Sequence, residues 1–125
     1  PHPVSTRSYR KNHLRVDAGK GVGMIFIIIG TTPTITYTFK TVSPSDFRAC
    51  ILTIKCNGQI LIEKTLSDAE IGTDSVSWTL TQAETLSLGT RVAKMMCNWV
   101  TAEGTRGASE ITTIRGDTNH IAEVI

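Results

Sequence analysis

From Met24 onward, apolar and polar residues alternate with a period of two, the period of a β-strand with one buried face. The clearest case is Thr34-Ile35-Thr36-Tyr37-Thr38-Phe39, where Ile35, Tyr37 and Phe39 are predicted to face a core and the threonines to face out. Val76, Trp78 and Leu80 alternate in the same way with Ser75, Ser77 and Thr79. Between Phe47 and Cys56, the residues Cys50, Leu52, Ile54 and Cys56 share one parity. A long strand from Arg91 to Val100 has Ala93, Met95, Cys97 and Trp99 as its more apolar face. Met24 to Ile29 breaks the rule, because it is a continuous apolar run. Such a run fits a strand buried on both faces or shared with a neighbour.

The punctuation between these runs belongs to turns. Asn57-Gly58 joins two β-rich segments, and a type I′ turn needs positive φ at both central residues, so a hairpin is predicted with Ile60 and Ile62 on one face of the return strand. Ser43 to Asp46 reads as a break, and Ser67 to Asp74 as a polar connection. Thr81-Gln82-Ala83-Glu84 has the capping-box pattern and predicts a single helical turn through Leu86, stopped by Gly89. Ala102-Glu103-Gly104 is a turn before a partner strand that starts between Ser109 and Ile114. Asp117 to Asn119 breaks the chain again, ahead of a short apolar tail from Ile121 to Ile125. About seven strands at this spacing, with no long helix, predict an all-β sandwich or barrel over residues 24–125.

Residues 1–23 have a different character. Arg7, Arg10, Lys11, Arg15 and Lys20 face a lone Asp17, so the segment is basic and the remainder slightly acidic, although the whole chain carries only +2. The segment ends in Gly19-Lys20-Gly21-Val22-Gly23, which lacks the spacing of a phosphate loop and precedes an apolar strand instead of following one. It reads as a basic N-terminal arm with a hinge at Gly19, Gly21 and Gly23. The mixed basic and aromatic residues Arg7, Tyr9, Arg10, Lys11 and Arg15 are the candidate interface. They suit the acidic surface of a neighbouring subunit, the phosphates of a nucleic acid, or a solubilising tail.

Composition narrows the function classes. With 40% apolar and 19% charged residues, the 125-residue chain is globular and needs no metal or disulfide to fold. Cys50, Cys56 and Cys97 are odd in number and lack framework spacing, so they read as core thiols in a reducing compartment. The Cys50–Cys56 interval is wider than the roughly two to four residues between paired zinc ligands. No apolar signal core precedes Met24, and the longest apolar run is too short to span a bilayer. His2, His13 and His120 are dispersed and no nucleophile–base motif occurs, so no enzyme activity, cofactor, metal or small-molecule substrate is expected. Trp78 and Trp99 share parity with core residues and read as core and not as ligand platforms.

The segments "GTTPTITYTF", "ACILTIKCNGQILIEKT" and "VSWTLTQAETLSL", with a long strand, "TAEG" and "ASEITTI" to close, resemble small immunoglobulin-like structural proteins of tailed phages and prophages. They also resemble the N-terminal domain of phage baseplate upper proteins. The resemblance rests on Gly30 before a threonine-rich strand, Leu80-Thr81-Gln82 at the start of the short turn, and the Gly104 hairpin. It implies an immunoglobulin-like sandwich and a non-enzymatic capsid, neck, tail or baseplate component. Assembly would take place in the bacterial cytoplasm, with other virion proteins as partners and homo-oligomeric or multi-copy assembly. It carries over no catalytic residue. The chain departs from that family in residues 1–23, which makes the arm the feature specific to its own assembly. An adhesion module binding a host surface or glycan, and a small nucleic-acid-binding or anti-defence phage protein, are the alternatives.

Overall fold

A computed structural model of the chain describes residues 13–20 and 23–118. Among the described residues ten strands form and divide between two packed sheets. They are β1 (His13–Asp17), β2 (Met24–Ile28), β3 (Thr34–Thr38), β4 (Phe47–Cys56), β5 (Gln59–Lys64), β6 (Glu70–Ile71), β7 (Ser75–Thr79), β8 (Val92–Thr101), β9 (Arg106–Ala108) and β10 (Thr112–Asp117). The smaller sheet has the order β1-β3-β7-β6; the larger has β2-β10-β8-β4-β5, with β9 also pairing with β8. The chain is thus an all-β sandwich, with three strands more than the sequence tally of about seven. The surplus comes from short or composite pieces: β1, the two-residue β6, and a closing segment split into β9 and β10.

The alternating residues fill the space between the sheets. Ile35, Tyr37, Val76, Trp78 and Leu80 on one side meet Leu52, Ile54, Met95, Cys97 and Ile114 on the other, all essentially inaccessible to water. Burying each such large side chain stabilises the fold by roughly 1.5–3 kcal/mol. Tyr37 and Trp78 meet edge to face at 6.3 Å, and the Trp78 indole N–H donates to the Thr65 carbonyl at 2.9 Å. The threonines of β3 do not simply face water: Thr36 is buried, its hydroxyl 2.8 Å from that of Ser77 and 3.2 Å from the His13 ring.

Local signals act as expected at both turns. Asn57 and Gly58 take φ of 53° and 81°, and Cys56 lies opposite Gln59. Thr81 caps helix α1 (Gln82–Leu88) through a reciprocal capping box with Glu84. The helix runs to Leu88, past the expected stop at Leu86, because Leu88 is buried, and Gly89 with φ 60° ends it.

Two expectations need correction. The boundary at residue 23 moves toward the N-terminus, since β1 is an integral strand paired in parallel with β3. Leu14 and Val16 alternate with His13, Arg15 and Asp17, and Val16 is 1% exposed. Composition hid this, because the basic residues of the segment obscure the alternation of Leu14 and Val16. The second correction concerns β5. Ile54 pairs with Ile62 but Lys55 with Ile60, so Leu61 is an extra residue, a β-bulge. The bulge reverses parity, leaving Ile62 buried at 2% and turning Ile60 outward at 51%.

Candidate interaction surface

The outer face of the larger sheet is assembled by register. Across it run Phe26 beside Arg115, Arg115 beside Val92, Thr113 beside Lys94, Lys94 beside Lys55, and Lys55 beside Ile60. The next rows place Thr53 between Met96 and Glu63, and Ile51 opposite Asn98. Ile51, Ile60, Met96 and Ile111 line a depression of about 440 Å³ with Thr53, Asn98, Lys55, Lys94 and Glu63 at its polar positions. Met24, Phe26, Ile60, Val92 and Ile111 are among the most exposed large apolar side chains. A face that the strand period makes outward is therefore unusually apolar.

Its charge is mostly positive, with Lys55, Lys94 and Arg115 against Glu63. Lys55 and Lys94 stand directly opposite each other on β4 and β8, an arrangement that destabilises an isolated pair of strands. Lys94 leans away and donates to the Thr113 hydroxyl at 3.0 Å. Among the described residues, Lys55, Lys94 and Arg115 make no ion pair; the pairs present are Lys40–Asp17 at 3.2 Å and Lys64–Glu84 at 2.9 Å. Sequence reasoning did not find this surface. The alternation marks which residues face outward, but the rows they form depend on strand order and on the bulge at Leu61.

Of the sequence-predicted arm residues, Arg15 is described, and it does not lie on this face. Arg15 is exposed on β1, in the other sheet, while Arg7, Tyr9, Arg10 and Lys11 lie outside the described residues. Gly19 and Gly23 flank the passage where the chain leaves β1 for the larger sheet; Gly21 is outside the described residues. Asp17 holds that passage, accepting the Gly19 N–H at 2.9 Å and pairing with Lys40. These contacts, the Gly19 bond foremost, hold its carboxyl below the usual carboxylate range.

The thiols and tryptophans are committed to packing. Cys50 and Cys97 are buried on adjacent strands with sulfurs 3.3 Å apart. The hydrogen bond to Cys50 and burial push the Cys97 thiol far up. Trp78 is fully buried, and Trp99 packs among Phe39 and Phe47, stacked on Phe47 at 5.8 Å. A Cβ on Gly107 would collide with the Trp99 indole, so the ring occupies the place of the missing side chain. Beside Trp99, a depression of about 350 Å³ is lined by Asp17, Lys20, Phe39 and Lys40.

Against known proteins, no family model matches this chain and no curated sequence matches it.

Proposed function

We propose that the chain is a non-enzymatic structural subunit of a phage particle, which docks through the outer face of its larger sheet onto an acidic, apolar-centred surface of a neighbouring virion protein. The virion setting comes from the resemblance of its strand and turn segments to phage immunoglobulin-like proteins. The strand orders support that kinship. Labelling β1, β3, β7 and β6 as A, B, E and D, and β10, β8, β4 and β5 as G, F, C and C′, gives the sheet memberships of a variable-type immunoglobulin domain. The parallel pairing of β1 with β3 is a variation within that plan.

The observation that carries the docking reading is the Lys55–Lys94 opposition. Two cations at opposed positions, without an ion pair among the described residues, cost stability in the free chain, and an acidic partner turns that cost into affinity. The surrounding isoleucines and Met96 supply the apolar centre of an interface, and the cations its rim. The basic arm adds attraction of the same sign.

Lys94→Thr tests this directly. It should raise thermal stability by a few tenths of a kcal/mol, because it removes the like-charge pair. It should also reduce incorporation into particles, measured by mass spectrometry of purified virions. Unchanged incorporation of a Lys55→Thr/Lys94→Thr double variant would remove the docking face. Binding to nucleic acid with steep salt dependence, and none to virion proteins, would favour the nucleic-acid alternative.

A further inference from the structure

Among the described residues the sandwich has five edge strands, and four of them are guarded. β1 carries His13, Arg15 and Asp17, β5 carries Glu63 and Lys64, β6 is two residues long and contains Glu70, and β9 is three residues long and begins with Arg106. Charges and shortness are the usual means by which a sheet edge is kept from pairing with another chain. β2 has neither. Its five residues, Met24-Ile25-Phe26-Ile27-Ile28, include no charge and no proline, and among the described residues its one strand neighbour is β10. Met24 is 47% exposed and Phe26 41%, so the packing of a single copy does not account for the apolar character of this strand.

We infer that the free edge of β2 pairs antiparallel with β2 of a second copy across a two-fold axis, joining the two larger sheets. Centred on Phe26, this register sets Phe26 opposite itself, Met24 opposite Ile28, and the inward-facing Ile25 opposite Ile27. Every pair is apolar on apolar, and no like charges meet, which no other edge strand among the described residues can offer to its own copy. An isologous contact of this kind also closes on itself, leaving no further β2 edge to propagate. The partner surface at Lys55 and Lys94 lies on the same sheet and stays open in the dimer. The inference rests on the reading of the chain as an assembly subunit and names one of its contacts.

The test is a charge swap at Phe26, read by light scattering on the full chain. Wild type should have twice the 13.6 kDa monomer mass at micromolar concentration. Phe26→Lys and Phe26→Glu should each be monomeric, with self-association weakened at least about tenfold and the thermal transition kept. An equimolar mixture of the two should regain the dimer mass, because only opposed positions convert repulsion into attraction. Ile71→Lys, equally exposed but on β6, should remain dimeric. A monomeric wild type overturns the inference, as does a dimer that survives both substitutions or a mixture that stays monomeric. A monomeric wild type that becomes dimeric on removal of residues 1–12 also overturns it for the full chain, with the arm as the edge's occupant. Particle incorporation in any of these cases leaves the docking reading standing, and loss of incorporation by a dimeric wild type defeats that reading alone.

Discussion

Tyr37 shows how much a single buried atom can decide. Its ring is central to the core, its hydroxyl makes no hydrogen bond of good geometry among the described residues, and burial pushes its ionisation above the ordinary tyrosine range, with the nearby Ser109 hydroxyl pulling the other way. A buried polar group left unpaired costs roughly 1–3 kcal/mol. Tyr37→Phe should therefore raise stability by about 1 kcal/mol at neutral pH, measured by urea denaturation. The pH dependence follows from the same burial. Tyr37 and Cys97 both have raised values in the folded state, so the stability they contribute is present below their unfolded values and lost as pH rises above them. Denaturation midpoints should fall from about pH 9 upward, and Tyr37→Phe with Cys97→Ala should flatten the decline. In the native state an alkylating reagent should label none of Cys50, Cys56 and Cys97, and should label all of them in denaturant. The parity of Tyr37 and Cys97 is legible in the sequence. The missing partner of the hydroxyl is not, because it depends on which atoms arrive from the opposite sheet.

Among the elements, strands and caps announce themselves, while close approaches between elements do not. The Asn57-Gly58 hairpin and the Thr81–Glu84 capping box follow from local backbone chemistry, so they are readable and correct. The bulge at Leu61 is different. Nothing local demands it, and it arises from matching β5 to β4 while keeping Ile62 inside. Gly116 is a second case. A Cβ there would run into the Gly89 carbonyl, so β10 and the end of α1 touch backbone to backbone. Gly116→Ala should destabilise by about 2–4 kcal/mol, seen as a lowered melting temperature. Gly107→Ala should cost less, since the Trp99 side chain can shift where backbone cannot, and it should alter tryptophan fluorescence.

Across the whole molecule, the N-terminal segment divides in a way composition does not reveal. Removing residues 1–12 should leave the melting temperature within a few degrees, whereas removing residues 1–20 takes away Val16 and Ala18 and should lower it strongly or prevent folding. Circular dichroism melts of the two truncations check this. The sequence by itself determined that the chain is β-rich, which residues of most strands face inward, and where the hairpin and the helix begin. Each of these depends on neighbours within a few residues along the chain. Only the tertiary structure decided that β1 belongs to the sandwich, that Lys55 stands opposite Lys94, and that the apolar β2 is an edge strand among the described residues. Those facts depend on which strands become neighbours across long stretches of chain, and a period of two is the same whatever strand lies alongside.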